Sequence, residues 1–162
     1  MQANANKAIP RTRTSIVCLH DQRLLMIELE DPSTKKRMWS LPGGKIEELE
    51  TPGQAAIRET LEETAWLVEL ESALRVTLFT APGNGVTYLR TTFVAKALSH
   101  DSNQSLDSDI EEALWLSYDD IIRLKDQLRS PVVLSDIEYY RAGHRIALEA
   151  FTQYPAPDAI AT

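Results

Sequence analysis

The chain has 162 residues, 43% of them apolar and 25% charged, the size and composition of one globular domain with a single core. Its net charge of -7 excludes the basic surface that holds a nucleic acid polymer through its phosphates, and no run reaches the ~20 apolar residues of a membrane helix. The single cysteine, Cys18, cannot close an internal disulfide, and MQANANKAIPRTR at the start lacks the apolar centre of a secretory signal, so a cytoplasmic protein is expected.

The ends, residues 1–12 and 152–162, are polar or rich in proline and alanine and are expected to be flexible, which leaves 13–151 as one domain. Within it, TSIVCLH (14–20) and RLLMIELE (23–30) are apolar runs separated by Asp21 and Gln22, the pattern of two strands joined by a tight turn. DPSTKKRMWSLPGG (31–44) reads as loop with a short strand at 38–41. Thr51 is then a natural N-cap, Pro52 suits the first helical position, and Gln54 completes a Thr-x-x-Gln capping box. A helix therefore opens at Thr51. LVELESALRVTLFT (67–80) and VTYLRTTFVAKAL (86–98) flank APGNG and read as a long antiparallel hairpin. EEALWLS carries a short strand at 114–116, and helices follow over 118–128 and 131–142, with Pro131 at a start and Gly143 at a stop. This order of strands, helix, strands and helices predicts an α/β (α+β) fold, a mixed sheet sandwiched between helices (α/β/α).

The segment GGKIEELETPGQAAIRETLEETAW (43–66) holds six glutamates, offset only by Lys45 and Arg58. At about 100° per residue, Ile57, Leu61, Thr64 and Val68 fall on one side of the helix and Ala55, Glu59, Glu62, Glu63 and Trp66 on the other. The core is therefore expected under Ile57 and Leu61. Glu59, Glu62 and Glu63 lie within one turn, where like charges repel by roughly 0.2–0.5 kcal/mol per exposed pair. Such crowding is tolerable where a divalent cation sits, and Mg²⁺, which takes oxygen ligands and keeps several waters, suits a few carboxylates plus a phosphate. A solvated acidic face is the ordinary reading of an acidic helix, but the spacing argues against it here. His20, His100 and His144 show no zinc-ligand spacing, and Cys18, in an apolar strand, reads as a small core residue.

Written with its gaps, the segment is Gly44, five residues, Glu50, seven residues, then Arg58, Glu59, Thr60, Leu61, Glu62 and Glu63. This resembles the Nudix box, GX5EX7REUXEEXGU with U aliphatic, in every charged position and both spacers. Thr60 stands where an aliphatic residue is usual, Ala65 replaces the glycine, and Trp66 replaces the last aliphatic. A non-glycine in a left-handed turn at Ala65 is strained by ~1 kcal/mol, so the helix is expected to run a few residues further.

The resemblance implies a Nudix fold and a Mg²⁺-dependent enzyme, with Mn²⁺ as a substitute, that hydrolyses phosphoric anhydrides of a small phosphorylated substrate. It implies metal ligation by the Gly43 carbonyl and by Glu59, Glu62 and Glu63, with Arg58 orienting these carboxylates, Glu50 holding the loop end, and Glu59 as base. A further catalytic acid is expected from the loop before the strand with Trp115, with Asp109 first and Glu112 second. Glu28, Trp39 and Arg90, with Tyr88 nearby, fall where a family member's substrate cleft would be. Similarity from about residue 13 to 151 to a bacterial phosphatase of the family implies a monomer acting on thiamine-related diphosphates and nucleoside tri- and diphosphates. The PGGK loop, shared with relatives that remove oxidised nucleotides, keeps a nucleoside triphosphate pyrophosphohydrolase as the alternative. A non-catalytic ligand-binding domain would be expected to lack one or more box carboxylates, and none is missing.

Overall fold

The computed structural model describes residues 9–32 and 34–151. Most of the two terminal segments expected to be flexible, 1–8 and 152–162, lies outside the described residues. Strand β1 (Arg11–His20) begins inside the first of them, with Arg11 and Thr12 already paired to Tyr88 and Leu89. The strands and helices that follow are β2 (Arg23–Glu30), β3 (Arg37–Ser40), α1 (Pro52–Thr64), β4 (Trp66–Thr80), β5 (Thr87–His100), β6 (Ile110–Ser117), α2 (Tyr118–Arg123) and α3 (Pro131–Arg141). Asp21 and Gln22 both adopt positive φ, 48° and 60°, the backbone of the tight turns that match strand twist in hairpins.

The six strands form a mixed sheet in the order β3-β2-β1-β5-β4, with β6 on the other edge of β2. β1 and β5 run parallel and the remaining pairs antiparallel. The centre of β1, from Thr14 to Cys18, is buried throughout, as expected of a strand covered on both faces. Ile16 and Cys18 pack with Leu25, Phe93 and Ala56 beneath α1, while Val17, Met26, Trp39 and Val94 pack with Ile121, Val133 and Ile137 of α2 and α3. The α/β/α sandwich is thus present. Burial pushes the Cys18 thiol up to about 12, with the Glu71 charge adding to the shift, so this residue is an inert part of the core.

Four expectations are corrected. The helix buries Ala55, Ala56, Thr60, Glu63 and Thr64, whereas Ile57 and Leu61 are only half-buried. Small side chains let α1 approach the sheet closely, and apolarity alone does not report that. Thr60 fits the apolar side because its hydroxyl donates to the Ala56 carbonyl at 2.7 Å. The helix does not run past Ala65, which takes the left-handed conformation (φ 59°) and donates its N–H to the Leu61 carbonyl at 2.9 Å. The segment after β6 is shorter in helix than expected: α2 ends at Arg123 and a 3-10 turn covers Lys125–Gln127. β6 itself is longer than 114–116, because it pairs with β2 along Arg23–Leu29.

Candidate active site

The loop after β3 is laid along the free edge of β1. Ile16 N–H donates to the Pro42 carbonyl and Thr14 N–H to the Gly44 carbonyl, both at 2.9 Å. Gly43 has φ +148°, and a Cβ there would stand 2.2 Å from the Thr14 carbonyl oxygen, so no other residue fits. A Cβ on Gly44 would lie 2.3 Å from Glu59 Cδ. The two glycines therefore bring bare backbone against the carboxylates of α1. Gly43 N–H donates to Glu63 Oε2 at 2.8 Å.

The helix starts as its capping box requires: Thr51 Oγ1 accepts from Gln54 N–H and the Gln54 side chain accepts from Thr51 N–H. That start fixes the phase of Arg58, which gathers the site. Its Nε and Nη2 donate to the two oxygens of Glu50 at 2.7 and 3.0 Å, its Nη2 reaches the Lys45 carbonyl at 3.0 Å, and its Nη1 donates to Glu62 at 2.9 Å. Glu59 Oε1 is 3.1 Å from the same Nη1. A planar guanidinium supplies this fan of donors, which an ammonium cannot. The Arg58 hydrogen bonds hold the Glu50 carboxyl below its ordinary range.

The other carboxylates are shifted the opposite way. Burial raises the pKa of Glu59, against the pull of Arg58. Glu63 is only 8% exposed, and burial pushes its carboxyl up to about 8, with the charges of Glu59 and Asp109 adding to the shift and the Gly43 N–H and Arg129 opposing it. Without a positive partner, these acids resist ionising together.

Oxygens of Glu59, Glu62 and Asp107 come within 4.8 Å of one another, a grouping able to hold a metal ion. Asp107 is an acid that the sequence reading did not name beside Asp109 and Glu112. Its N–H donates to the Glu62 carbonyl and its own carbonyl accepts from Ile110 N–H, both at 3.0 Å, so the turn docks on the end of α1 through Asp107. No spacing rule in DSDIEE distinguishes the two aspartates. Asp109 acts on the site through its charge on Glu63, and Glu112 is an exposed residue paired with Glu28 across β6 and β2. The grouped donors are all carboxylate oxygens, hard ligands that suit a hard divalent cation and not a thiophilic ion.

On the α3 side, Glu28 is buried and paired to Arg37 at 2.8 Å. Trp39, its register partner across β2 and β3, is 7% exposed and belongs to the core cluster. Its ring forms a wall, and its carbonyl accepts from Arg129 N–H at 2.8 Å. Arg90 on β5 donates from Nε to Ser15 Oγ at 2.9 Å. Tyr88 lies beneath the Arg13 guanidinium, 5.7 Å from ring centroid to Cζ.

Fold and site together define a class: an enzyme that presents a carboxylate-lined helix and a glycine loop to a phosphorylated small molecule. The NUDIX domain family matches residues 10–137, and the chain belongs to this family as a Nudix hydrolase. It is 29% identical over 147 residues to the phosphatase NudJ of Shigella boydii and of Escherichia coli K12, covering 91% of this chain and 95% of each relative. A NUDIX hydrolase from Nitrosomonas europaea superposes with a TM-score of 0.87 at 34% identity, over 90% of this chain and 98% of that one. A MutT NUDIX hydrolase from Burkholderia pseudomallei shares the fold at a TM-score of 0.62 and 24% identity, over 82% of this chain and 98% of that one.

Proposed function

We propose that the protein is a Mg²⁺-dependent phosphohydrolase of the NudJ type, a cytoplasmic monomer that hydrolyses thiamine-related diphosphates, such as hydroxymethylpyrimidine diphosphate and thiamine diphosphate, and nucleoside tri- and diphosphates. The observation that carries this reading is the convergence of Glu59, Glu62 and Asp107 within 4.8 Å, beside the Gly43 amide that holds Glu63. The 29% identity to NudJ along nearly its whole length supports the substrate class. Glu59, Glu62, Glu63 and the Gly43 carbonyl would hold the ion, for which Mn²⁺ is a substitute, and Asp107 joins them.

When bound, the ion supplies neutralising charge at the phosphate oxygens and acidifies a water. The chain's own residues do the rest. Glu59, whose pKa is raised mainly by burial, takes a proton from the attacking water, because a base poised closer to neutral transfers protons more effectively. Arg58 keeps Glu59 and Glu62 in place by pairing with both. Asp109 biases the protonation of Glu63 by its charge. Arg90 and Glu28 form the polar lining of the substrate side, with Trp39 as its wall.

The test is incubation of the pure protein with these diphosphates and nucleotides, with Mg²⁺ and with chelator. Metal-dependent orthophosphate release is expected, and no metal-dependent release from any compound would end this reading. Pyrophosphate released from triphosphates instead would favour the nucleoside triphosphate pyrophosphohydrolase, the reading that the PGGK loop supports.

A further inference from the structure

Beyond the acidic helix, the α3-facing side of the sheet carries a concentration of arginine that the fold neutralises only in part. Arg13 and Arg90 are direct partners in the parallel register of β1 and β5, and in such a register partner side chains point to the same face, where like charges opposite one another destabilise a sheet. Arg75 on β4 shares that region but is fully paired, its Nε and Nη2 both 2.7 Å from Asp136 Oδ1. The other oxygen of Asp136 accepts from Thr92 at 2.8 Å and leaves Arg90 Nε at 4.0 Å.

Arg90 is thus 17% exposed, and among the described residues its only side-chain hydrogen bond is to Ser15. Among the same residues, Arg13 has only the Tyr88 ring and Arg129 has no side-chain partner. Arg129 is set beside the same face by its backbone N–H, which donates to the carbonyl of Trp39 at 2.8 Å, and its charge acts on both Arg90 and Glu63. Among the described residues Arg13 and Arg129 form no ion pair, and Arg90 has only the long 4.0 Å contact to an Asp136 that Arg75 already holds, so the positive charge gathered here is only partly met.

Ser15 links this group to the catalytic loop. Its side chain holds Arg90, and its Cα packs where a Cβ on Gly43 would fall. From β5 to β1 to the loop is two strand spacings, roughly 10 Å. A cavity of about 480 Å³ lined by Arg11, Arg13 and Lys45 opens beside the start of β1, with no acid among its described lining residues.

We propose that Arg13, Arg90 and Arg129 form a second anion subsite, which takes a phosphoryl group beyond the two engaged at the acidic helix and so selects triphosphate chains over diphosphates. This deepens the hydrolase reading and rests on it for its consequence in turnover. The guanidinium is the group suited to such contact, offering paired donors to phosphate oxygens. Asp136 serves as a positioning residue that anchors Arg75 and Thr92 and holds Arg90 only at 4.0 Å.

The probe is inorganic tripolyphosphate, with pyrophosphate as comparison, titrated calorimetrically into the full chain in EDTA. Tripolyphosphate is expected to bind more tightly than pyrophosphate, and Arg13→Gln or Arg129→Gln to weaken it by about tenfold, the loss of one charged hydrogen bond. Both side chains reach solvent, so these variants fold, and Arg90→Lys tests the buried member. Lys96→Gln, a surface change of the same charge, is expected to alter it little. In Mg²⁺, the ratio of kcat/KM for a nucleoside triphosphate to that for its diphosphate should fall by a similar factor through KM. An unchanged ratio and unchanged tripolyphosphate affinity in Arg13→Gln and Arg129→Gln overturn the subsite, even where hydrolysis is intact. Arginine-dependent tripolyphosphate binding without turnover of any substrate would instead keep the subsite and overturn the hydrolase reading.

Discussion

Replacing Arg58 by alanine removes the group on which the acidic site depends for its geometry. Arg58 is 27% exposed, while the Glu50 and Glu59 side chains it holds are 14% and 12% exposed. Truncation strands two largely buried carboxylates, together with Glu62 and the Lys45 carbonyl. Removing one partner of a buried ion pair costs about 3–5 kcal/mol, and the partial exposure of the guanidinium lowers this through solvent screening. We expect a loss of about 2–3 kcal/mol in metal-free protein, or roughly 5–10 °C in Tm for a domain of this size. Urea denaturation in EDTA measures it as a shift in midpoint at constant slope. Arg58→Lys should recover little, since a point charge cannot span Glu50 and Glu62 together. Saturating Mg²⁺ should restore part of the deficit, because an ion bound only by the folded state stabilises it. A midpoint loss below about 0.5 kcal/mol in EDTA, the size of an ordinary surface substitution, would refute the reasoning.

Ala65→Gly should raise Tm slightly, because relief of about 1–2 kcal/mol at φ 59° exceeds the glycine's added unfolded-state entropy of about 0.4–1 kcal/mol. A fall in Tm would show that Ala65 is not strained. Gly44→Ala should lower kcat by about a hundredfold with a far smaller loss of stability, since the new Cβ displaces Glu59, and wild-type turnover would contradict the close approach. The third test concerns pH. Glu63 has its folded pKa raised from 4.5 to about 8, so the folded metal-free protein holds a proton that the unfolded chain releases. The contribution of this group to stability is therefore complete below 4.5 and is lost as pH rises through about 8. Metal binding must expel that proton. Titration of Mg²⁺ at pH 7 in two buffers of different ionisation heat should reveal proton release, with affinity rising towards pH 8, and equal heats would count against it.

Elements with local chemical signatures were legible in the sequence. Thr51, Pro52 and Gln54 named the start of α1 because capping is a contact between neighbours in the chain. β2 matches its expected span, since Asp21 and Gln22 leave little choice of turn. The misread features depend on contacts between distant segments. Ile57 and Leu61 are the more apolar residues of α1, yet the sheet selects Ala56 and Thr60 because a close interface needs small side chains. Ala65 is left-handed because β4 must begin at Trp66, a demand invisible in the helix itself. Asp107 joins Glu59 and Glu62 through a turn whose backbone bonds to Glu62, a contact that no local pattern announces.

Both poles of the site carry electrostatic cost, and both flank β1. On one side, burial raises the pKa of Glu59 and Glu63. On the other, Arg13 faces Arg90 across the strand pair, and burial lowers the pKa of Arg90 against the pull of Asp136. Neutral Ser15 and Gly43 lie between Arg90 and the acidic helix, while the Arg129 charge reaches Glu63, so charge runs in order from acidic helix to arginine group. A polyphosphate with a cation at its scissile end is charged in the complementary order. In the proposed subsite, ligand binding would offset both costs at once, with the metal-bearing end at Glu59 and Glu62 and the bare phosphoryl end at Arg90.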